Sequence, residues 1–249
     1  MATATPLEGR NALVTGAARG LGRATALALA RAGADVLVGW RTREAESRSL
    51  ADEVRALGRR AEAVRGDVTH PADVERIFDA AGRFGGADIL VNNVGDFLIR
   101  DLAGTTWEQW TAVTRNNLDS VFLCSRAALP HMRERGWGRI VNLAAAFASG
   151  ARAAPRMGAY QAAKSGVLAF TRTLAMEEAG RGITVNAVSP GIMDTEGAGP
   201  GVRSNPGLHV PAGRLGDPQE VARVVVFLCD PGSGYITGAD VPVAGGWML

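Results

Sequence analysis

The sequence predicts an α/β fold in which a doubly wound parallel sheet carries helices on both faces. Four short apolar runs, beginning at Asn11, Val36, Ala61 and Ile89, are each followed by a helical pattern. The connections between them are short and rich in glycine. Because repeated strand–helix units give parallel strands with right-handed crossovers, we expect ligands outside the carboxyl edge of the sheet.

Composition and charge restrict the class of protein. Nothing in the pattern of 249 residues requires a division, so we expect a single domain over 7–249. The net charge of +2 is too small to indicate a nucleic-acid partner. No apolar run is long enough to span a membrane, and Met1–Arg10 has no signal segment, so we expect a cytoplasmic protein without a membrane partner. Cys124 and Cys229 lie in apolar helical patterns, without disulfide or metal spacing.

The first strand, Asn11–Thr15, ends in a glycine-rich turn with the pattern Gly16-x-x-x-Gly20-x-Gly22. A helical Ala/Leu pattern follows over Ala24–Ala32. Glycines at such a turn let the backbone approach a pyrophosphate, and the N-terminus of the helix offers N–H groups to it. The spacing differs from the usual Gly-x-Gly-x-x-Gly of dinucleotide sites, so a turn that serves packing alone is the alternative.

Arginines follow the second strand, Val36–Val38. An NAD-selective site carries a carboxylate here to bind the ribose 2′-hydroxyl, whereas a nearby arginine accommodates a 2′-phosphate. Arg41 and Arg43 follow the strand, Arg19 lies inside the glycine turn, and no acidic residue precedes Glu44. The pattern favours NADP(H) over NAD(H), and three ordinary surface arginines are the alternative.

Asp67 comes directly after the third strand, Ala61–Arg65. At the carboxyl end of a strand its carboxylate could accept a hydrogen bond from an adenine amine. Since Thr69–Pro71 follows, the same aspartate could equally close a turn and cap the next helix.

Two pairs of asparagines follow in the next unit. The fourth strand, Ile89–Val91, runs into Asn92-Asn93-Val94-Gly95, and a mostly helical region extends from Trp107 to Arg135. Asn116 and Asn117 stand in the middle of that region. Asparagine is a poor helix former, so we expect one of the two to face a cavity and hold a water or a ligand.

The second half of the chain completes the sheet. The predicted elements are a strand over Ile140–Leu143, a helix around 160–180, a strand over Ile183–Val188, a helix over Pro218–Cys229 and a strand at Val241–Val243. A stretch at about 192–216 is rich in glycine and proline and has no periodicity. We expect it to form a flap over the substrate.

Lys164 is the only lysine in a chain with 26 arginines, and Tyr160 is one of its two tyrosines. Residues four apart on a helix are neighbours on one face. An ammonium beside a phenol favours the phenolate and lowers the tyrosine pKa, which makes Tyr160 a candidate general acid/base. The alternative is that Lys164 is an ordinary solvated helix residue.

Taken in order, these parts resemble the short-chain dehydrogenase/reductase family from about Leu7 to Gly246, essentially the whole chain. The motifs that carry the resemblance are Thr15-Gly16-x-x-x-Gly20-x-Gly22, Gly66-Asp67-Val68, Asn92-Asn93-Val94-Gly95, Tyr160-x-x-x-Lys164 and Pro190-Gly191-x-x-x-Thr195. The resemblance implies a Rossmann-type sheet of about seven strands, hydride transfer with a nicotinamide cofactor, and a homotetramer.

The resemblance also implies roles for single residues. Tyr160 would exchange a proton with the substrate oxygen, and Lys164 would lower the tyrosine pKa and bind the nicotinamide ribose. Asn117, rather than Asn116, would support a water in the proton relay. Cofactor contacts are implied at Gly16, Arg19, Gly20, Leu21, Gly22, Arg41, Asp67, Val68, Asn93, Gly95, Tyr160, Lys164, Pro190, Gly191, Ile192 and Thr195.

The chain departs from the family pattern where a catalytic serine is expected. In the family, the fifth strand is followed by two small residues, the second being a serine that hydrogen-bonds the substrate oxygen. Here the two residues are Ala144 and Ala145. The usual count back from Tyr160 reaches Phe147 instead, so the loop is longer. Ser149 is the nearest hydroxyl, and it could serve only if the longer loop folds back.

Three functions are compatible with these residues. The leading hypothesis is an NADP(H)-dependent oxidoreductase that interconverts a small-molecule ketone or imine-like C=X bond and the alcohol or amine, with Tyr160 as acid/base. Because Ala145 removes a donor, a cofactor-binding scaffold or sensor without turnover is the second. The third is a lyase or dehydratase that reuses the phenol without net hydride transfer. Phe97, Phe147 and Met193 are candidates to line a substrate pocket or to serve packing.

Overall fold

The fold is built on one sheet of seven parallel strands, seen in the computed structural model, which describes residues 5–150, 152–196 and 209–248. The strands are β1 (Asn11–Val14), β2 (Asp35–Trp40), β3 (Ala61–Arg65), β4 (Ile89–Asn92), β5 (Gly138–Leu143), β6 (Ile183–Pro190) and β7 (Asp240–Val243). They lie side by side in the order β3-β2-β1-β4-β5-β6-β7. The direction of the order reverses between β1 and β4, which places the expected ligand crevice outside their carboxyl ends.

Helices cover both faces of the sheet. They are α1 (Gly20–Arg31), α2 (Glu44–Ala56), α3 (Pro71–Phe84), α4 (Trp107–Thr114), α5 (Ser120–Arg135), α6 (Ala146–Ser149), α7 (Gly158–Glu178) and α8 (Pro218–Cys229). Successive strand residues point to opposite faces, so Val14 packs in the apolar cluster of α1, α2 and α8. Leu13 packs in the cluster of α3, α5 and α7 on the other face. The predicted doubly wound α/β fold is confirmed.

Three local features differ from the sequence prediction. α1 begins at Gly20, ahead of the predicted start at Ala24, and Gly20 itself has a positive φ of 54° where the glycine turn passes into the helix. Arg115–Asp119 forms a π-helical turn between α4 and α5. α6 is a short helix in a stretch that was expected to be a loop. The last two features both lie next to the candidate site.

The two cysteines lie in the core of the protein. Burial raises the pKa of the Cys124 and Cys229 thiols to about 12, so both act as small apolar groups in the core.

Across 5–150, 152–196 and 209–248, no helix combines the length and hydrophobicity needed to cross a membrane.

Candidate active site

The turn between β1 and α1 depends on glycine. Gly16 has a φ of 62°, a conformation that residues with a Cβ rarely adopt. At Gly22 an added Cβ would lie 2.7 Å from the Gly16 carbonyl oxygen, so a side chain there would displace the turn. Asn93, just beyond β4, donates from Nδ2 to the carbonyl oxygens of Thr15 at 2.9 Å and Gly16 at 3.1 Å. The turn is therefore fixed both by its own glycines and by the neighbouring strand.

A groove of about 380 Å³ opens above this turn at the carboxyl edge of the sheet. Ten of the residues predicted to contact the cofactor line it: Gly16, Arg19, Gly20, Leu21, Arg41, Asp67, Val68, Asn93, Gly95 and Thr195. Trp40, Thr42 and Glu196 also line the groove and were not predicted. A groove with a glycine floor at the N-terminus of α1 suits a bound pyrophosphate.

Arginines and one carboxylate form the wall of the groove at the β2–β3 end. Arg41 donates from a guanidinium nitrogen to Oδ2 of Asp67 at 3.0 Å, while Oδ1 of Asp67 accepts from the Thr69 backbone N–H at 3.0 Å. Burial raises the pKa of the Asp67 carboxyl, but hydrogen bonds from Thr69 and Arg41 outweigh burial and leave that pKa below its usual value. Asp67 thus closes a turn, which is one of its two predicted roles, and it also lines the groove. Arg19 and Arg43 extend the basic wall.

The opposite wall comes from the segment after β6. Gly191 donates its backbone N–H to the Val243 carbonyl at 2.9 Å, and a Cβ on Gly191 would lie 2.7 Å from Cα of Ala244. Thr195 faces the glycine turn, since a Cβ on Gly20 would lie 3.7 Å from its Cγ2. Pro190 ends β6, and Ile192 pairs with Gly216 through its carbonyl oxygen. Of the expected flap at 192–216, residues 197–208 lie outside the described residues.

Tyr160 and Lys164 lie one helical turn apart on α7. Lys164 is buried, and its Nζ donates to the Leu143 carbonyl oxygen at the end of β5, at 2.6 Å. The same Nζ lies 5.7 Å from the centre of the half-buried Tyr160 ring. The structure therefore brings the two side chains together, and Lys164 is not a solvated helix residue.

The expected effect of Lys164 on the Tyr160 pKa is wrong for this structure. Burial raises the pKa of Tyr160 to about 12 and lowers the pKa of Lys164 to about 8. Loss of hydration is the cause of both shifts, and the Lys164 ammonium donates to the Leu143 carbonyl. Tyr160 is therefore a neutral phenol near pH 7, ready to donate a proton.

Asn117 lies in the π-helical turn and is fully buried. Its Nδ2 donates to the carbonyl oxygens of Asp96 at 2.8 Å and Val113 at 2.9 Å, whereas its Oδ1 has no partner among the described residues. A Cβ on Gly95 would collide with that Oδ1 and lie 3.3 Å from Nζ of Lys164. The acceptor and the ammonium therefore face one small space beside Gly95, which suits a hydroxyl group or a water.

Comparisons with known proteins agree with this geometry. The family model described as enoyl-(acyl carrier protein) reductase matches residues 16–248. A crystal structure of a short-chain type dehydrogenase/reductase from Mycobacterium marinum superposes with a TM-score of 0.90 at 33% identity, covering 98% of this chain and 97% of that one. The chain belongs to the short-chain dehydrogenase/reductase family.

Curated relatives of this family extend over the same length. The 3-oxoacyl-(acyl-carrier-protein) reductase of Vibrio cholerae is 41% identical, covering 98% of this chain and 99% of that protein. The enzyme of the same name from Escherichia coli K12 is 40% identical, covering 97% of this chain and 98% of that protein. The chain is thus an oxidoreductase of the short-chain dehydrogenase/reductase family.

The segment that carries the serine in the family pattern takes a different form here. Ala145 is buried and immediately precedes α6. Because residues 144 and 145 are both alanines, neither carries a hydroxyl. α6 instead places the Phe147 ring against Tyr160, with 5.7 Å between ring centres. Ser149 ends α6, and no hydrogen bond joins it to Tyr160 in the described part of the chain.

Aromatic rings surround the phenol of Tyr160. Phe97 packs edge-on against it at 5.0 Å between ring centres, and Trp247 near the C-terminus packs against Phe147 at 6.4 Å. Trp247 was not predicted, because its contact with Phe147 joins segments far apart in sequence. Met193 packs in the core of the α1, α2 and α8 face, so it serves packing.

A buried polar network supports the site from below, and its hydrogen bonds were not predicted. Asn92 donates from Nδ2 to Oδ1 of Asn142 at 2.8 Å and to the Ser125 hydroxyl at 3.1 Å. Asn142 donates in turn to the Thr171 hydroxyl at 2.9 Å. These bonds join β4, β5, α5 and α7. They hold α7, with Tyr160 and Lys164, against the ends of the strands.

Proposed function

We propose that this protein is an NADP(H)-dependent oxidoreductase that interconverts a carbonyl or imine-like C=X bond and the corresponding alcohol or amine, with Tyr160 as general acid/base. The observation that carries the proposal is the convergence of Tyr160, Lys164 and Asn117 at the carboxyl edge of a sheet whose adjoining groove has a glycine floor and a basic wall. A neutral phenol is the form that reduction of a carbonyl requires.

The residues present fit a dinucleotide. Gly16, Gly20 and Gly22 leave space for a pyrophosphate, and Arg19 and Arg41 on the groove wall suit a 2′-phosphate. Gly191, Ile192 and Thr195 would hold the nicotinamide end, while Asp67 and Val68 would contact the adenine. When bound, NADPH supplies the hydride.

The chain's own residues manage the proton. Tyr160 donates its phenolic proton to the substrate oxygen as negative charge develops there. Lys164, whose pKa of about 8 leaves it mostly charged at pH 7, stabilises the resulting phenolate. Asn117 Oδ1 and Lys164 Nζ face a common space through which a water returns a proton to the site. Phe97 and Phe147 pack against the Tyr160 ring and cover part of it.

Loss of the serine makes this reductase slower than the family pattern predicts. A donor to the reacting oxygen contributes about 10² to 10³ in rate, or roughly 3–4 kcal/mol. Phe147 provides only an apolar ring at this place. Tyr160 is therefore the sole described side chain proposed to donate to the substrate oxygen.

The relatives suggest where to look for a substrate. Two curated relatives at about 40% identity are called 3-oxoacyl-(acyl-carrier-protein) reductases, so a 3-oxoacyl thioester is a reasonable first substrate for a small-molecule assay. We also propose a homotetramer in the cytoplasm. Sedimentation of the purified protein tests the oligomer separately from the activity.

The activity is tested by following NADPH absorbance with a panel of 3-oxoacyl thioesters, ketones and imines. Wild-type protein is expected to oxidise NADPH about 10²- to 10⁴-fold faster than Tyr160→Phe, since the variant loses the proton donor. Equal rates for the two proteins would refute the proposal. Both should bind NADPH with similar Kd, which shows that Tyr160→Phe leaves the groove folded.

The second candidate is a cofactor-binding scaffold or sensor, which the alanine at 145 favours. It predicts tight NADPH binding, no turnover on any member of the panel, and no gain from Ala145→Ser. Substrate conversion without any change in NADPH absorbance would instead indicate the lyase or dehydratase alternative.

A further inference from the structure

The phenol of Tyr160 is held by ring packing rather than by a hydrogen bond. Within 5–150, 152–196 and 209–248, its Oη has no hydrogen-bond partner. Nζ of Lys164 lies 5.7 Å from the centre of the Tyr160 ring and donates to the Leu143 carbonyl oxygen instead. The alanine at 145 has no hydroxyl that could bind the phenol. The position of the Tyr160 ring therefore depends on the side chains packed around it.

Two phenylalanine rings contact Tyr160, and they differ in exposure. Phe97 packs edge-on at 5.0 Å between ring centres and is 57% exposed. Phe147 lies at 5.7 Å, with an angle of 61° between the ring planes, and is 3% exposed. Because Phe147 is itself covered by other groups, it contributes more to the burial of Tyr160 than Phe97 does.

Phe147 does not hold this position through its own helix. α6 consists of the four residues Ala146–Ser149, little more than one turn. Helices of this length are not stable by themselves in water, so packing with other segments must fix the Phe147 ring. Trp247 provides such a contact, with 6.4 Å between the ring centres and 83° between the ring planes. Trp247, Phe147 and Tyr160 thus form a continuous chain of rings in one apolar cluster.

The turn that carries Trp247 is anchored by its backbone. Trp247 donates its N–H to the Ala244 carbonyl oxygen at 2.9 Å, and the Ala212 N–H donates to the Gly245 carbonyl oxygen at 2.9 Å. Gly245 and Gly246 have φ values of 58° and 83°, in the region that favours glycine. The half-buried Trp247 ring is therefore presented to Phe147 from a defined turn.

We propose that Trp247 is a positioning residue for the proposed reaction, and that it holds the Tyr160 ring in its packed position through Phe147. The inference rests on the proposed function for the role of Tyr160 as the acid. It adds a residue near the C-terminus that touches neither the phenol nor the reacting atoms. It also gives the longer loop after β5 a role, since that loop brings Phe147 between Trp247 and Tyr160.

The ionisation of Tyr160 reports this packing. Burial raises the pKa of Tyr160 to about 12. Loss of the Trp247 ring would free Phe147 and let water reach the phenol, so the pKa should fall towards its ordinary value of about 10. Phe97 and Phe147 carry no charge, and Lys164 stays in place in every variant below. A change in the Tyr160 pKa therefore measures burial.

Tyr160 can be observed directly because the chain has two tyrosines. The other is Tyr235, which is fully exposed, so Tyr235→Phe leaves Tyr160 as the sole tyrosine. Carbon-13 at the tyrosine Cζ then gives one NMR signal, whose chemical shift changes when the phenol ionises. Spectra of the full-length, cofactor-free protein from pH 7 to pH 11 measure the ionised fraction without turnover.

In the Tyr235→Phe background, about a tenth of Tyr160 should be ionised at pH 11. Addition of Trp247→Ala or Trp247→Leu should raise this fraction to about half or more, whereas Trp247→Phe retains a ring and should stay close to the background. Trp107→Ala is the matched control, because it removes an exposed tryptophan at the start of α4. Its fraction should equal that of the background.

Turnover provides the second readout. In the protein that retains Tyr235, Trp247→Ala should lower kcat of the NADPH-dependent reaction about tenfold, because the acid is less well placed. Trp247→Phe should restore kcat. The Kd for NADPH should stay unchanged in both variants, since Trp247 is not among the residues that line the groove.

The inference would be overturned by an unchanged ionised fraction in both Trp247→Ala and Trp247→Leu, or by an equal rise in Trp247→Phe or Trp107→Ala. An unchanged kcat in Trp247→Ala despite a raised fraction would also overturn it. So would failure of both Trp247→Ala and Trp247→Leu to fold, because Trp247 would then serve the fold as a whole.

Failure of the proposed function gives a different result. In that case the ionised fractions still differ among the variants as described, while the wild-type protein does not oxidise NADPH with any member of the substrate panel.

Discussion

The two halves of the carboxyl edge are built in different ways. Above β1 to β4, the proposed cofactor groove is formed largely by backbone: a glycine turn, its bonds to Asn93, and the N-terminus of α1. Above β5 and β6, the region around Tyr160 is formed by side chains from distant segments, including Phe97, Phe147 and Trp247. The first half follows the family pattern closely, whereas the second departs from it. The comparison teaches that the glycine turn and its groove can keep the family pattern while the residues around the tyrosine change.

The largest effect on the groove half is expected from Gly22→Ala. The new Cβ would lie 2.7 Å from the Gly16 carbonyl and 2.6 Å from Nδ2 of Asn93, so the turn must shift. NADPH binding should weaken by about 3 kcal/mol, the upper range for overpacking. Fluorescence titration measures the change. Gly82→Ala on α3 is the control, because a Cβ there contacts nothing within 4 Å, and its Kd should equal that of the wild type.

A smaller effect is expected from Arg41→Ala on the wall of the same groove. Removal of one charge-assisted contact should weaken NADPH binding by about 2 kcal/mol. NADH lacks the 2′-phosphate, so its Kd should change little. Titration of NADPH and NADH into wild type and variant measures the four Kd values that are compared. A parallel loss for the two cofactors would mean that Arg41 supports the turn through Asp67 rather than selecting NADPH.

The burial of Lys164 beside Tyr160 predicts how the free energy of unfolding depends on pH. Burial places the pKa of Lys164 at about 8 in the folded protein, below the ordinary value of 10.5 for the free side chain. Between these values the unfolded chain binds more protons than the folded one, so Lys164 destabilises the fold least at high pH. Relative to Lys164→Met, the wild-type free energy of unfolding should rise by about 1.4 kcal/mol from pH 7 to pH 9.

Urea unfolding of both cofactor-free proteins at pH 7, 8 and 9 measures this difference. Subtracting the variant removes contributions from the buried cysteines, which titrate in the same range when the chain unfolds. A difference that stays constant over this range would show that Lys164 keeps an ordinary pKa in the folded protein. Burial would then not lower the charge on Lys164 in the folded protein.

Much of the fold and of the groove was readable from the sequence, because the signals are local. Gly16, Gly20 and Gly22 mark a turn that only glycine accommodates, and Arg41 follows a strand whose position is set by its apolar run. The spacing of Tyr160 and Lys164 likewise places them on one face of a helix whatever surrounds that helix. Such features can be predicted without knowing which distant segments contact each other.

The remaining features depend on packing between distant segments. The raised pKa of Tyr160 follows from burial among rings, and Phe147 and Trp247 meet across a large separation in sequence. The partners of Asn92 and Asn142 also come from different strands and helices. Sequence periodicity does not indicate such contacts, which is why the pKa of Tyr160 was predicted to fall although burial raises it.

The most direct test of the central claim, that Tyr160 acts as the acid without the usual serine, restores that serine. NADPH-dependent turnover of one substrate is measured for wild type, Ala145→Ser, Tyr160→Phe and the double variant. Ala145→Ser should raise kcat by about tenfold to a hundredfold, because it returns a donor to the reacting oxygen. The same substitution should give no gain in the Tyr160→Phe background. Wild-type turnover that survives Tyr160→Phe, or an unchanged kcat in Ala145→Ser, would contradict the account.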